Sequence, residues 1–224
     1  MTDDEGRKIV TPGEVIFTGD DYLPGEGTEK KDKKIIALRL GIVEESNNLV
    51  KIIPISGVYI PRRGNVVIGK IEDITFNGWI INIDAPTSSF LSVMECPRYL
   101  NKSDLSEFLD IGELVVAKID SVKRKGVDLT IKIKGLGKVE GGLIIKINSS
   151  KVPRVIGKEG SMVNLIKKET NCEMTVGQNG YVWIKGNSIE EELFAKKAVM
   201  LVAEQALLNG LTDKIKEWFD KEKK

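Results

Sequence analysis

The stretch VIGKEGSM at residues 155–162 decides how the second half of the chain is interpreted, because it joins two predicted helices. Apolar spacing predicts a short helix over 151–156, with Pro153 in its first turn, and a second helix over 161–170. Two glycines in the joining loop let the backbone approach a ligand closely, and amides at the start of a helix favour an anion. The loop at 157–160 is therefore a candidate phosphate-binding loop.

Strands and one long helix surround these two helices in the order β-α-α-β-β-α. The predicted flanking elements are three strands and a helix, at 143–147, 172–176, 181–185 and 188–208. The two later strands form a hairpin that turns at Gly177-Gln178-Asn179-Gly180, a sequence typical of a tight turn. The long helix begins at Ser188, whose hydroxyl forms a capping box with Glu191 three residues later.

With this order and a Gly-X-X-Gly loop between its first two helices, the region resembles the KH domain family, whose loop clamps about four nucleotides. The resemblance assigns RNA contact to Lys151, Arg154, Gly157, Lys158 and Gly160. Glu159 departs from the expected charge, because it places a carboxylate where a phosphate would lie. A glycine break between two helices, with a purely structural role, is the alternative interpretation.

Residues 64–134 have the pattern of a β domain with one short helix. Five strands are predicted, at 66–74, 79–83, within 88–94, at 114–122 and at 127–134. A short helix is predicted from Ser103, whose hydroxyl can cap it, to about Gly112. In the last strand apolar and polar residues alternate, which is typical of a half-buried strand. Five strands with a helix after the third match an OB-type barrel.

This barrel region resembles the S1 RNA-binding domain, an OB-fold. The resemblance rests on GKIEDI at 69–74 and FNGWI at 76–80, where that family has its first strand, turn and second strand. Family members stack bases on aromatic residues of the second-strand region, which implies base stacking on Phe76 and Trp79. The alternative is that Trp79 belongs to the core and Phe76 packs on the next domain. The family's usual histidine after the third strand is absent.

Basic residues cluster at three loops of this predicted barrel. The clusters are Arg62 with Arg63, Arg98 with Lys102, and Lys123 with Arg124 and Lys125. A cluster of this kind is usually a solvated loop, but loops of one barrel can also converge on one rim and attract phosphates. Basic and acidic residues are equal in number over 63–136. This balance argues against tight RNA binding by the barrel alone and favours a site shared with the KH region.

The first part of the chain, residues 1–62, is predicted to form a small antiparallel β unit from short apolar runs separated by turns. Its segment Tyr22-Leu23-Pro24 is predicted to be an exposed loop that anchors a partner, since such side chains fill pockets at interfaces. A C-terminal apolar stripe is the competing anchor, and it comprises Leu211, Ile215, Trp218 and Phe219. We expect this stripe to fold back onto its own chain.

Composition narrows the function classes. The 224 residues include two cysteines and no histidine, which excludes the usual zinc sites and histidine-dependent catalytic sites for this chain alone. No metal or cofactor is therefore expected, and any catalysis would depend on carboxylate, lysine or tyrosine side chains. No apolar run could span a membrane and the first residues lack signal-peptide features, which predicts a cytoplasmic protein without membrane contact. The formal net charge of +1 gives no overall attraction to nucleic acid.

The order of these modules narrows the resemblance to one family, the exosome RNA-binding cap subunits of the rRNA-processing-protein-4 type, and the compact length favours an archaeal member. Short matching segments include TPGEV at 11–15, YIP at 59–61 and GLG at 135–137. The fold class is then multidomain β and α+β. The predicted division is an N-terminal β domain at 1–62, an S1 barrel at 63–136, a KH domain at 137–208 and a helical tail at 209–224.

This resemblance implies a non-catalytic subunit that captures RNA. It would guide the 3′ end into the central pore of an RNase-PH-like hexameric ring, for degradation and processing from 3′ to 5′. The N-terminal domain would bind the ring, three cap subunits would share it, and some caps could be of the zinc-ribbon type. The alternative function is a free-standing S1/KH regulator of transcription or translation.

Overall fold

The computed structural model describes residues 8–96, 105–206, 208 and 210–222. Two compact units divide the chain between Gly57 and Val58, and the stretch from Gly210 onward belongs to the second unit. The predicted helix start at Ser103 and the cations Arg98 and Lys102 lie outside the described residues. No helix within the described ranges is both long enough and apolar enough to cross a membrane.

The first unit consists of two small sheets with a shared apolar core. Its strands are β1 (Ile9–Val10), β2 (Val15–Thr18), β3 (Leu23–Pro24), β4 (Thr28–Lys31), β5 (Lys34–Ala37), β6 (Gly41–Ser46) and β7 (Leu49–Pro54). One sheet has the order β1-β6-β7-β3 and the other β2-β5-β4. The pairings are antiparallel as predicted, except that β3 runs parallel to β7. Val10, Ile35 and Val50 are fully buried between the sheets.

The hairpin of β6 and β7 was not predicted as such, although its turn explains it. Asn47 and Asn48 both adopt a positive φ, 50° and 63°. This is the backbone that the tightest two-residue hairpin turn requires, and asparagine tolerates it better than most residues. The pair therefore connects two strands of equal length that are in register from Gly41 opposite Pro54 to Ser46 opposite Leu49.

The second unit begins with a closed five-stranded barrel, as predicted for an OB-type fold. Its strands are β8 (Val66–Thr75), β9 (Gly78–Asn82), β10 (Ser89–Ser92), β11 (Leu114–Lys123) and β12 (Gly126–Thr130). The neighbour order is β12-β10-β9-β8-β11, and a β11–β12 pairing closes the barrel. A two-residue strand β13 (Gly137–Lys138) adds to the outer edge of β11. The barrel core is aliphatic with one tryptophan.

Two elements of the barrel were predicted wrongly in detail. The described residues 105–112 form successive turns rather than a helix, and a single 3₁₀ turn over Val93–Glu95 follows the third strand. The last strand ends at Thr130 instead of continuing to Lys134, and Ile133 is exposed. Alternation alone extended the strand too far, because apolar residues continue past the point where β12 has a partner strand.

The KH fold follows the barrel in the predicted order. It comprises β14 (Leu143–Lys146), α1 (Val152–Ile156), α2 (Ser161–Thr170), β15 (Glu173–Val176), β16 (Tyr181–Lys185) and α3 (Ile189–Glu204). The sheet order is β14-β16-β15. Ser188 caps α3 through a bond from the Glu191 amide, as the sequence predicts, but α3 ends at Glu204 rather than at 208. The core between sheet and helices includes Val152, Ile166 and Val199, all fully buried.

The C-terminal stripe packs inside its own chain, which confirms the intramolecular alternative. It lies on a helix α4 (Leu211–Glu222) whose Leu211, Ile215 and Phe219 are buried in the KH core. Trp218 stacks on Phe194 of α3 with ring centroids 5.3 Å apart and an interplanar angle of 26°. The apolar face of α4 is thus occupied by α3, and the stripe is not an anchor for a partner.

A buried amide joins the KH hairpin to the barrel. Asn179 is 2% exposed, and its Nδ2 donates to the carbonyls of Ile68 (2.8 Å) and Ile83 (3.0 Å). Its Oδ1 accepts from the Ile68 amide at 3.2 Å. Beside it, the Gln178 amide donates to the Val66 carbonyl at 2.7 Å. The hairpin turn is therefore fixed to β8 and to the residue after β9 by four hydrogen bonds.

A second contact supports the same joint from its exposed side. Asp84, in the barrel loop after β9, accepts a hydrogen bond from the Tyr181 hydroxyl at 3.1 Å. The Asp84 carboxylate also pairs with the ammonium of Lys146 on β14. Asp84 has a positive φ of 57°, so this loop turns back sharply toward the KH sheet. The barrel and the KH fold are thereby held at two adjoining points within one compact unit.

Replacement of Asn179 by alanine is expected to lower the free energy of unfolding by about 2–3 kcal/mol, because it leaves buried backbone groups of the barrel without partners. The matched control is Gln178→Ala, since Gln178 uses only its backbone amide at the joint. Urea denaturation of both variants measures the difference. Equal stabilities would show that the Asn179 amide bonds do not hold the joint.

Candidate nucleic-acid interface

The Gly157–Gly160 loop has a backbone that depends on its first glycine. Gly157 has a φ of +75°, and a Cβ atom there would lie 2.6 Å from the backbone nitrogen of Met162. No side chain fits at that distance, so the close turn between α1 and α2 requires glycine. Gly160 also has a positive φ, +80°, but a Cβ there would meet no atom closer than 3.5 Å. Gly160 is therefore required only because its backbone adopts a positive φ.

Basic residues lie in this loop and in the segment before it. Arg154 on α1 and Lys158 in the loop are exposed, and Lys151 before α1 is half-buried. The loop leads directly into α2, which begins at Ser161, so the first amides of that ten-residue helix adjoin the glycines. Helix amides without intrahelical partners attract anions. The five residues that the sequence assigned to RNA thus lie within one segment, 151–160, with Glu159 exposed among them.

Trp79 does not belong to an RNA-binding surface, which corrects one of the two stacking assignments. Its side chain is fully buried in the barrel core, and its indole N–H donates to the Leu109 carbonyl at 2.8 Å. Phe108 packs against it with ring centroids 5.8 Å apart. A base could not reach this ring without opening the barrel. The alternative that Trp79 is a core residue is the correct one.

Phe76 has the opposite environment. It lies in the turn between β8 and β9 and is 96% exposed, so its ring is open to a stacking partner. Its ring contributes little to the stability of the fold, so it is free to contact a base. Phe76 remains a candidate for base stacking.

The basic loops and Phe76 occupy opposite ends of the barrel. In the β8–β11 pair, Val66 lies opposite Lys118 and Lys70 opposite Leu114. The turn at Lys123–Lys125 therefore extends past the start of β8, whereas Phe76 follows its end. Arg62 and Arg63 lead into β8, so they share the end of the Lys123–Lys125 turn. Two of the three predicted clusters are thus brought to one end, and the third lies outside the described residues.

Between these two ends, β9 and β10 turn a strip of side chains outward. Ile80 and Phe90 are cross-strand neighbours on this outer face, and both are half-buried. Asn82 and Ser92 continue the strip on either side. OB barrels bind oligonucleotides on the corresponding face, between the loops that flank it. Phe90 is a candidate that the sequence analysis missed, because Phe90 and Leu91 are adjacent and SSFLS at 88–92 does not show which of them faces outward.

Charge pairing lowers the positive potential of the β11–β12 turn. The Lys123 ammonium pairs with Asp128, which also accepts a hydrogen bond from the Ser121 hydroxyl at 2.6 Å. Lys123 first, and Ser121 second, lower the pKa of the Asp128 carboxyl. Arg124 and Lys125 are exposed at the tip of the turn. They are therefore better placed than Lys123 to meet a phosphate.

The chain shows no activated nucleophile at its thiols. Burial raises the pKa of the Cys96 thiol to about 11 and also raises the pKa of Cys172. Both groups stay protonated near neutral pH and are poor nucleophiles. Within the described residues, no three histidine, cysteine, aspartate or glutamate side chains are grouped so that they could hold a metal ion.

The predicted anchor in the first unit is a strand rather than a loop, and its aromatic residue is not free. Tyr22 is half-buried and stacks on Phe17, with ring centroids 4.5 Å apart and an interplanar angle of 13°. Leu23 and Pro24 form β3, and both are exposed. Leu23 lies beside Leu49 in register, and the two are 57% and 43% exposed. We call this pair the leucine patch.

A small β unit, a closed OB-type barrel and a KH fold with its glycine loop define an S1/KH protein, a class assembled from two kinds of RNA-binding module. Comparison with known proteins supports this class. A family model described as "KH domain" matches residues 142–190. Another, described as "Exosome complex exonuclease RRP4 N-terminal region", matches residues 9–45.

Curated relatives extend the similarity over almost the whole chain. The exosome complex component Rrp4 of Methanobrevibacter smithii is 41% identical over 95% of this chain and 70% of its own length. That of Methanothermus fervidus is also 41% identical, over 95% of both chains. The Pyrococcus furiosus protein of the same name is 40% identical over 95% of this chain and 82% of its own. The chain belongs to the Rrp4 family of exosome complex components.

A solved structure supports the same assignment. The crystal structure of a protein proposed to be an exosome complex RNA-binding protein superposes with a TM-score of 0.66 and 31% sequence identity. The match covers 75% of this chain and 98% of that one. The shared architecture therefore extends over more than a single module.

The two aromatic residues of the β8–β9 region are expected to respond differently to substitution. Trp79→Phe should lower the free energy of unfolding by about 1–3 kcal/mol, because the Leu109 carbonyl loses its buried donor. Phe76→Ala should leave stability within about 0.5 kcal/mol but weaken the binding of single-stranded RNA, since stacking contributes ~1–3 kcal/mol per base. Thermal denaturation and fluorescence anisotropy measure the two effects. An unchanged RNA affinity of Phe76→Ala would exclude Phe76 from the interface.

Proposed function

We propose that this protein is a non-catalytic RNA-binding cap subunit of an archaeal exosome, acting in the cytoplasm. It captures RNA and guides the 3′ end toward the central pore of an RNase-PH-like hexameric ring, whose subunits perform degradation from 3′ to 5′. The observation on which the proposal depends is the open Gly157–Gly160 loop with its cations, in a chain that aligns along nearly its full length with exosome components.

The proposed RNA path has two parts on one compact unit. The KH loop holds backbone phosphates through its amides and through Lys158, Arg154 and Lys151. The outer strip of β9 and β10 accepts bases, with Phe76 beyond one end and the Arg124 turn beyond the other. Because the Asn179 joint fixes the KH hairpin to β8, both parts can act on one RNA strand without separate ordering of two domains.

The proposed division of labour follows the module boundaries of the sequence. Residues 63–136 and 137–208 bind RNA, the tail at 209–224 stabilises the KH fold, and residues 1–62 bind the ring. Three cap subunits share one ring, and caps of the zinc-ribbon type can replace some of them. Support for ring binding by the first unit comes from the leucine patch, because two adjacent exposed leucines on a sheet edge fit the apolar centre of an interface.

Ring association should depend on the leucine patch. A tagged chain with Leu23→Glu and Leu49→Glu is expected to lose the ring subunits that the unchanged protein retains from native lysate, because two charges would be buried at the interface. The measurement is affinity capture followed by mass determination of the intact complex. Leu193→Glu is the matched control, since Leu193 is similarly exposed but lies on α3 of the KH fold.

Two results would contradict this part of the proposal. If the unchanged protein migrates as a small monomer and captures no ring subunits, the free-standing regulator is the correct alternative. If the double variant still captures the ring as well as the control does, the first unit binds elsewhere or does not bind the ring.

The β11–β12 turn should contribute to the salt dependence of RNA binding. Neutralising Arg124 and Lys125 together to glutamine is expected to reduce the slope of log affinity against log salt by about 1.4, if each contacts one phosphate of a single strand. Lys123→Gln should change the slope less, because Lys123 is already paired with Asp128. Anisotropy titrations over a range of salt concentrations measure the slope. If the slope is the same for the unchanged protein and for all variants, the side chains of the turn do not contact RNA phosphates.

A further inference from the structure

Glu159 combines two features that oppose the proposed role of its own loop. Its carboxylate is exposed between Lys158 and Gly160, where the phosphates of a bound strand would lie. Its backbone has a φ of 53° and a ψ of 28°, the left-handed conformation that glycine and asparagine adopt at lower cost. Glutamate is therefore unfavourable here both for the loop conformation and for anion binding.

No side-chain contact among the described residues requires glutamate at this position. In the part of the chain that the structure describes, the Glu159 carboxylate has no hydrogen-bond or ion-pair partner. It is exposed and makes no hydrogen bond to α1 or α2, and its one favourable interaction is with the unpaired amides at the start of α2. Gly157, by contrast, is required by the approach of the Met162 backbone. Packing therefore requires glycine at the first position of the loop, Gly157, but does not explain glutamate at the third position, Glu159.

We propose that Glu159 weakens the hold of the KH loop on RNA phosphates, so that a bound strand is released quickly and can move on. This inference rests on the proposed RNA-binding function. The Glu159 carboxylate offsets one of the three positive charges of Lys151, Arg154 and Lys158 and repels a phosphate at the loop, while the helix amides remain available. The loop then forms short-lived contacts with successive phosphates in place of one tight contact. Glu159 therefore sets the dissociation rate of the strand.

The test uses the full chain and a 5′-labelled single-stranded oligoadenylate. Glu159→Gln removes the charge with little change of shape, and Glu159→Asn removes the charge and also suits the left-handed backbone. Both are expected to tighten binding about threefold to fivefold at physiological salt, the range of an exposed ion pair. Stopped-flow dissociation should show the gain mainly as a slower release rate. The Asn variant should also have the higher melting temperature.

Two further variants make the result specific. Asp32→Asn is the matched control, because Asp32 is also exposed and left-handed, with a φ of 54°, but lies on the β4–β5 hairpin of the first unit. It should leave RNA affinity unchanged. Lys158→Gln should weaken binding, which shows that the loop contacts phosphate at all. Gly157 is unsuitable for this purpose, because any side chain there would disrupt the turn.

The outcomes separate this inference from the proposed function. If the unchanged protein binds RNA, Lys158→Gln weakens binding and Glu159→Gln tightens it with slower release, the inference holds. If Lys158→Gln weakens binding but Glu159→Gln leaves it unchanged or weakens it, the inference is wrong and the proposed function stands. Weaker binding by Glu159→Gln only when Mg²⁺ is present would also overturn it, because the carboxylate would then hold a cation against phosphate. If the unchanged protein binds no RNA, both the inference on Glu159 and the proposed RNA-binding function are wrong.

Discussion

The buried amide of Asn179 is the contact on which the arrangement of the second unit depends. An amide removed from water must have both its donors and its acceptor satisfied, and here the backbone of the barrel satisfies them at Ile68 and Ile83. These bonds form only when the hairpin turn lies directly against β8. The Asp84 contacts with Tyr181 and Lys146 then limit rotation about that point. The KH fold consequently has one orientation on the barrel, and both proposed RNA surfaces keep a fixed relation.

The sequence predicted features whose conformation is decided locally and missed those decided by distant contacts. The glycine loop and the capping box of α3 were identified because a positive φ or an unpaired helix amide restricts which residues fit. The role of Asn179 was missed, since its neighbours are sufficient for a hairpin turn and its partners at Ile68 lie 111 positions earlier. Because the sequence at 177–180 is already explained by a hairpin turn, it does not indicate that Asn179 also contacts the barrel.

Trp79 shows a second limit of the same kind. The segment WIINI at 79–83 has apolar residues at the consecutive positions 79–81, so a single polar residue, Asn82, is all that marks the outer face in the sequence. The structure turns Trp79, Ile81 and Ile83 inward and Ile80 outward. The Leu109 carbonyl, which lies outside the strand pair, gives the buried indole N–H an acceptor and so allows tryptophan at this inward position. Phe90 was missed for the related reason that a single aromatic residue in a short strand has no distinctive spacing.

The proposed interface has only a moderate positive charge, and a fixed distance between the KH loop and the barrel surface compensates for the weaker attraction to RNA. Lys123 is paired with Asp128 and Glu159 adds a negative charge to the KH loop, so the positive charge of both the turn and the loop is reduced. Two weak contacts on one strand gain affinity when the second forms at high effective concentration, which requires that their separation be fixed. The Asn179 joint supplies that condition. Each contact can then break and re-form quickly while the strand stays bound, as the proposed guiding of RNA toward a ring would require. A tight KH loop would retain the strand, whereas a flexible joint would lose it.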